Sequence, residues 1–259
     1  MDHLLLKVII TPALVTVASL AGRRFGPGVA GWIIAMPLTA GPVLAFIAIE
    51  QGAAFTAMAA ASSIGGLMAV AACGVAWVRG AQRWKRPQSG LVAGSLAFAG
   101  MTAVLALPPL PGDPLVAVAL FGAAGVAFRA ARHLVPRPGA ASDPARIPPT
   151  WDLPVRATVA TVLMLIITAA APLVGPRLAG ILVTYPVYAT TLAYFAERHD
   201  RAGGAAAVFR GLFAGLYTPA VFFLMLALLL EPAGIPVAFA AAVAAAVVAH
   251  GSSLRFALR

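Results

Sequence analysis

Charge is the scarcest commodity in this chain. Only 10% of its 259 residues are Asp, Glu, Lys or Arg, against about 25% in a water-soluble domain. With 61% apolar residues and a mean hydropathy of +0.95, lipid has to be the main solvent. One cysteine, Cys73, excludes an internal disulfide and any CxxC metal site. It lies in an apolar run and reads as a small packing residue. No His/Cys/Asp/Glu cluster has metal-ligand spacing, and no GxSxG or Walker loop occurs. His3, His133, His199 and His250 all fall near span ends or in loops. No aspartate sits at mid-membrane, which argues against an antiporter built on a central Asp pair. These absences exclude an enzyme built on paired acids or an activated nucleophile, and they leave no cofactor implied.

What remains is a succession of apolar runs, each close to the roughly 20 residues that span a hydrocarbon core. Spans are expected at 4–21, 28–49, 53–78, 90–107, 115–131, 155–174, 178–196, 204–230 and 233–250. Proline marks several boundaries, because it lacks an amide donor and clashes with the preceding turn. Pro108-Pro109-Leu110-Pro111-Gly112-Asp113-Pro114 separates the fourth span from the fifth, and Glu231-Pro232 the eighth from the ninth. The polar stretch 132–152, with Pro136, Pro138, Pro144, Pro148 and Pro149, reads as a cytoplasmic linker between halves at 1–131 and 153–259.

The basic residues orient the spans. With the N-terminus outside and the C-terminus inside, 16 of the 18 Lys and Arg lie on the cytoplasmic side, leaving Lys7 and Arg177 outside. That asymmetry is the positive-inside pattern, and it points to a bacterial inner membrane. It also explains the formal charge of +10 without nucleic acid, since the positive residues sit in short loops between apolar runs. The N-terminus has no basic stretch ahead of its apolar run and does not read as a cleaved signal peptide.

A repeat runs through this plan. Phe25-Gly-Pro-Gly-Val-Ala-Gly-Trp-Ile-Ile-Ala-Met-Pro37 returns as Val174-Gly-Pro-Arg-Leu-Ala-Gly-Ile-Leu-Val-Thr-Tyr-Pro186, at an offset of 149. Seven of 21 ungapped positions are identical, where this composition gives roughly two by chance. The same offset sets Lys7 on Arg156 and the small pair Ser62/Gly66 on Gly211/Gly215, a spacing that suits close helix packing. Five spans separate the copies, an odd number, so the second enters the membrane from the opposite side. The expected architecture is an all-α polytopic protein with a 5+4 inverted repeat, the recurring plan of secondary transporters.

In that plan the solute sits near the midplane at interrupted helices. Pro37 and Pro186 fall mid-span in the second and seventh spans. Each is either an ordinary kink or an interruption that frees a carbonyl to line a cavity, and its presence in both copies favours the latter. The seventh span adds hydroxyls at Thr184, Tyr185, Tyr188 and Thr191, with Thr39 their main match on the second. Thr184, Tyr188 and Thr191 share one face of a continuous helix. Interhelical hydrogen bonding is the alternative use of these groups. Arg210, about two turns inside the eighth span, either snorkels to the interface or draws an anionic solute.

The Gly-Pro-x-x-Ala-Gly…Pro segment, with Tyr194-Phe195 behind its second copy, resembles small bacterial GlpM-type membrane proteins. The resemblance covers about a helix per half and implies only an inner-membrane location. The five-helix inverted plan also looks like the scheme of bile-acid symporters and sodium/proton antiporters. The function expected is alternating-access transport of a small polar or anionic solute. A channel, a lipid scramblase or flippase, or an accessory subunit are the alternatives. The expected partners are the lipid bilayer and the solute, and a homodimer is allowed.

Overall fold

A computed structural model describes residues 9, 32, 34–37, 40–107, 114–137, 152–199 and 203–257. Among them all regular structure is helical: α1 (Ala40–Gln51), α2 (Ala53–Trp84), α3 (Pro87–Ala106), α4 (Pro114–Leu134), α5 (Asp152–Leu182), α6 (Val187–His199), α7 (Gly204–Gly215), α8 (Tyr217–Ala233) and α9 (Ile235–Ala257). The expected first span, 4–21, and most of the Pro-rich linker lie outside the described residues.

Five helical stretches are long and apolar enough to cross a bilayer: α2, α3, α4, the joined α7–α8 and α9. A sixth crossing is available from Ala169–Leu182 with Val187–Arg198, a pair bent by 46°. The chain is a multi-pass membrane protein. Its outer helices carry exposed Leu96, Val104, Leu115, Val126, Val243 and Val248, a surface that water tolerates poorly and lipid accepts. α2 and α7–α8 are mostly buried, whereas α3, α4 and α9 turn most of their surface outward.

Boundaries follow local chemistry. α2 ends at Lys85 in the left-handed region (φ 52), and Arg86, extended, leads to Pro87 at the head of α3, where its missing amide costs nothing. Within α5 the helix is interrupted at Gly175 (φ 78, ψ 167), a conformation closed to residues with a Cβ. The expected gap between sixth and seventh spans therefore survives as a single glycine. Two expected spans are discontinuous. A turn at 35–37 precedes α1, and residues 183–186 separate α5 from α6.

Centre and periphery meet through residues without side chains. α2 packs against α3, α4, α5 and α8. A Cβ on Gly180 would overlap the Ala59 carbonyl, and one on Gly74 would lie 2.5 Å from the Phe209 ring. Ser63 Oγ lies 2.8 Å from the Gly180 carbonyl and 2.9 Å from that of Ala59, tying α2 to α5 where the two backbones approach. Gly180→Ala must push these helices apart, a cost of about 1–3 kcal/mol, whereas Gly122 on α4 has open space around it. Thermal unfolding in lipid nanodiscs should show a lower midpoint for Gly180→Ala and an unchanged or slightly higher one for Gly122→Ala. Equal midpoints would contradict the packing.

Candidate functional site

The two helix breaks are built by the same hydrogen bonds. In the first, Ala35 N donates to Trp32 O (3.1 Å) and Gly41 N to Pro37 O (2.9 Å). In the second, Thr184 N donates to Ile181 O (3.1 Å) and Thr190 N to Pro186 O (2.9 Å). Every one of these residues is related to its counterpart by 149 positions. Each proline thus sits at the start of a new helix, where its carbonyl accepts the first helical bond and no donor is lost. Glycines clasp both breaks alike. A Cβ on Gly66 would fall 2.5 Å from Thr184 Oγ1 and 3.1 Å from the Ile181 carbonyl; one on Gly215 would fall 2.5 Å from Ala35 Cβ and 3.0 Å from the Trp32 carbonyl.

Between the breaks lies a cleft of about 790 Å³, counting the part open to the outside. Its lining falls into seven pairs at the 149 offset: Ile34/Val183, Ala35/Thr184, Met36/Tyr185, Pro37/Pro186, Ala40/Ala189, Leu67/Leu216 and Val70/Pro219. Val43, Val187, Tyr188, Leu212 and Phe223 complete it. The lining residues are apolar apart from Thr184, Tyr185 and Tyr188, all from the second break and the first turn of α6.

Pro37, Thr184, Tyr185, Pro186 and Tyr188 are therefore brought together, and Thr39 lies outside the described residues. The shared helix face expected of Thr184, Tyr188 and Thr191 does not form, because the helix stops before Thr184 and restarts after Pro186. Thr191 is absent from the lining; its hydroxyl donates to the Val187 carbonyl (2.7 Å). Thr190 likewise turns to the Pro186 and Val187 carbonyls (3.0 Å each). These threonines satisfy the backbone that the break exposes. Thr184 Oγ1 donates to Ile181 O (2.7 Å). Tyr185 reaches across the cleft wall to α3, where its hydroxyl meets Ser95 Oγ at 2.8 Å and its ring stands edge-on to Phe98.

Arg210 lies away from the cleft. Its Nη1 donates to Arg132 O (2.7 Å) and Val135 O (2.9 Å), capping the C-terminus of α4, where unpaired carbonyls and the helix dipole favour a cation. Arg177 does the same for α3, donating to Leu105 O at 2.6 Å. Sequence reasoning missed the apolar lining on α2, α7 and α8, because a Leu facing a cleft and a Leu facing lipid look alike in one dimension. The offset of 149, carried on to Leu67 and Leu216, was the available signal. It also missed the surroundings of His250, which near the end of its span is buried with Nδ1 2.9 Å from Thr218 Oγ1.

Among the described residues no three His, Cys, Asp or Glu side chains group to hold a metal ion. Comparison with protein-family models, curated proteins and solved structures finds no match.

Arg210→Ala should loosen the end of α4 and leave the cleft as it is. Losing two charge-assisted bonds lowers stability by about 1–3 kcal/mol, read as a lower unfolding midpoint, with faster amide exchange confined to residues near 132–135. An unchanged midpoint and exchange pattern would remove the cap from the account.

Proposed function

We propose that this protein is a secondary carrier that moves a small solute by alternating access, with its site in the cleft between the two broken helices. The observation that carries the reading is the pairing of the lining at a constant offset of 149. The same offset takes the bounds of α1 close to those of α6, α2 to the joined α7–α8, and Pro87 of α3 to Pro236 of α9. With five spans between copies, the second copy faces the opposite way, and exchanging the conformations of the halves would close the cleft to one side and open it to the other. The loop charges support an outside N-terminus in a bacterial inner membrane.

The lining narrows the solute. No charged side chain contributes to it, so a polar or anionic group would be met by Tyr188 and by first-turn amides of α1 and α6, the Thr184 hydroxyl being donated to Ile181 O and that of Tyr185 engaged with Ser95. The remainder of the solute would lie against Leu67, Val70, Leu216 and Phe223. A small molecule with one hydrogen-bonding end and an apolar flank fits best.

A thermal-shift screen of metabolites identifies candidates, since a ligand bound to the folded form stabilises it. Uptake of the stabilising solute into reconstituted vesicles should saturate. Tyr188→Phe should lower it by about 3–10-fold, the worth of one net hydrogen bond, and Pro186→Ala, which restores an amide donor and frees φ at the break, should lower it too, each without loss of folded protein. Wild-type rates from both variants would remove the site from the cleft. Flux that rises linearly without saturation would favour a channel or lipid scramblase.

A further inference from the structure

One buried titratable group lies beside the cleft and has no part in the mechanism so far. His250 on α9 is 7% exposed. Its imidazole stacks on the indole of Trp32, with centroids 3.8 Å apart and planes 17° apart. Its Nδ1 lies 2.9 Å from Thr218 Oγ1. Trp32 belongs to the turn that makes the first break, since its carbonyl accepts from Ala35 N. Thr218 precedes Pro219, which lines the cleft. A single ring therefore joins three moving parts of a carrier: the stub before the first break, the start of α8, and α9.

The other half has no equivalent. At the offset of 149, His250, Thr218 and Trp32 correspond to Met101, Ala69 and Ile181. The titratable cluster thus breaks the symmetry of the cleft. Protonation would change every contact the ring makes. Neutral imidazole carries one donor and one acceptor nitrogen, whereas the cation donates from both. The Thr218 hydroxyl would have to present a lone pair to Nδ1, and the stack on Trp32 would become a cation–π contact. α9 packs against α7 and α8, whose charged or titratable groups are Arg210, Tyr217 and Glu231. Arg210 is turned to α4 carbonyls, Tyr217 donates to Gly125 O, and Glu231 lies at the far end of α8. Arg255 follows on α9 itself. Ionisable residues inside a membrane mark ion pathways and proton relays, and histidine alone has its ordinary titration near neutral pH.

We propose that His250 is the proton-binding site that couples this carrier to a proton gradient. One proton is taken up on the imidazole from one side of the membrane and released to the other in each cycle. Its binding alters the hold of α8 and α9 on the Trp32 stub and so biases which side the cleft faces. The proposal rests on the carrier reading.

The test uses the full chain in oriented vesicles between about pH 5 and 8, with no solute. Indole emission reports proton binding, because an imidazolium stacked on Trp32 quenches it. A cysteine at Ala40→Cys, reacted with a water-soluble maleimide from either side, reports which way the cleft faces as a ratio of rates that cancels the reagent's own pH dependence. The expected result is a quench on acidification that is lost in both His250→Gln and Trp32→Phe. Alongside it, the ratio should shift by up to about tenfold per pH unit, the limit for one linked proton, and the shift should vanish in His250→Gln. Should His250→Gln fail to fold, Thr218→Val keeps the imidazole and should displace the midpoint of both responses. A sided ratio that ignores pH would overturn proton coupling and leave the carrier standing. So would a quench without any change in the ratio. Equal labelling from both sides at every pH would overturn the carrier reading as well.

Discussion

A backbone that leaves the helix inside a membrane must still satisfy its amides and carbonyls, and water is not there to do it. Among the described residues the chain breaks in this way at 35–37 and at 183–186, and much else in the structure serves those breaks. Prolines occupy positions where no donor is wasted, and threonine hydroxyls return to the carbonyls of Ile181, Pro186 and Val187. Placing the two breaks face to face gives the remaining polar groups a common cleft instead of two separate costs.

That arrangement needs the neighbouring helices to come very close. Gly66, Gly180 and Gly215 admit backbone contacts that any side chain would block. Without a hydrophobic drive between helices in lipid, such close packing is a main source of cohesion. Arg177 and Arg210 close the ends of α3 and α4. The cleft is thereby left without a cation, which shifts the proposed solute from a free anion toward a molecule that is mostly apolar. An arginine in a membrane helix is a functional candidate by default, and here both are held by helix termini.

The sequence made the membrane class and the helical plan legible, because composition and span length are one-dimensional properties. It also made both prolines legible as interruptions, since they recur at a fixed offset, and the structure puts both on the wall of one cleft. The hydroxyl face of the seventh span was misjudged for a physical reason. Periodicity assumes a continuous helix, and the break before Pro186 resets the phase, leaving Thr184 in a turn and the Thr191 hydroxyl on the Val187 carbonyl. Arg210 was open between two readings until its partner, the end of a helix 75 and 78 residues away, was in view. His250 carried no local signal at all, because its partners Trp32 and Thr218 belong to other elements.

The account stands on two copies of one helical unit facing opposite ways across the bilayer. Positions 24 and 173 are related by the same 149 residues, Leu173 is exposed, and the native Cys73 is buried. Single cysteines at Arg24→Cys and Leu173→Cys, treated with a membrane-impermeant maleimide in intact cells, test the inversion most directly. The account predicts that position 173 reacts from outside and position 24 only after the membrane is opened. Labelling of both from the same side would contradict it.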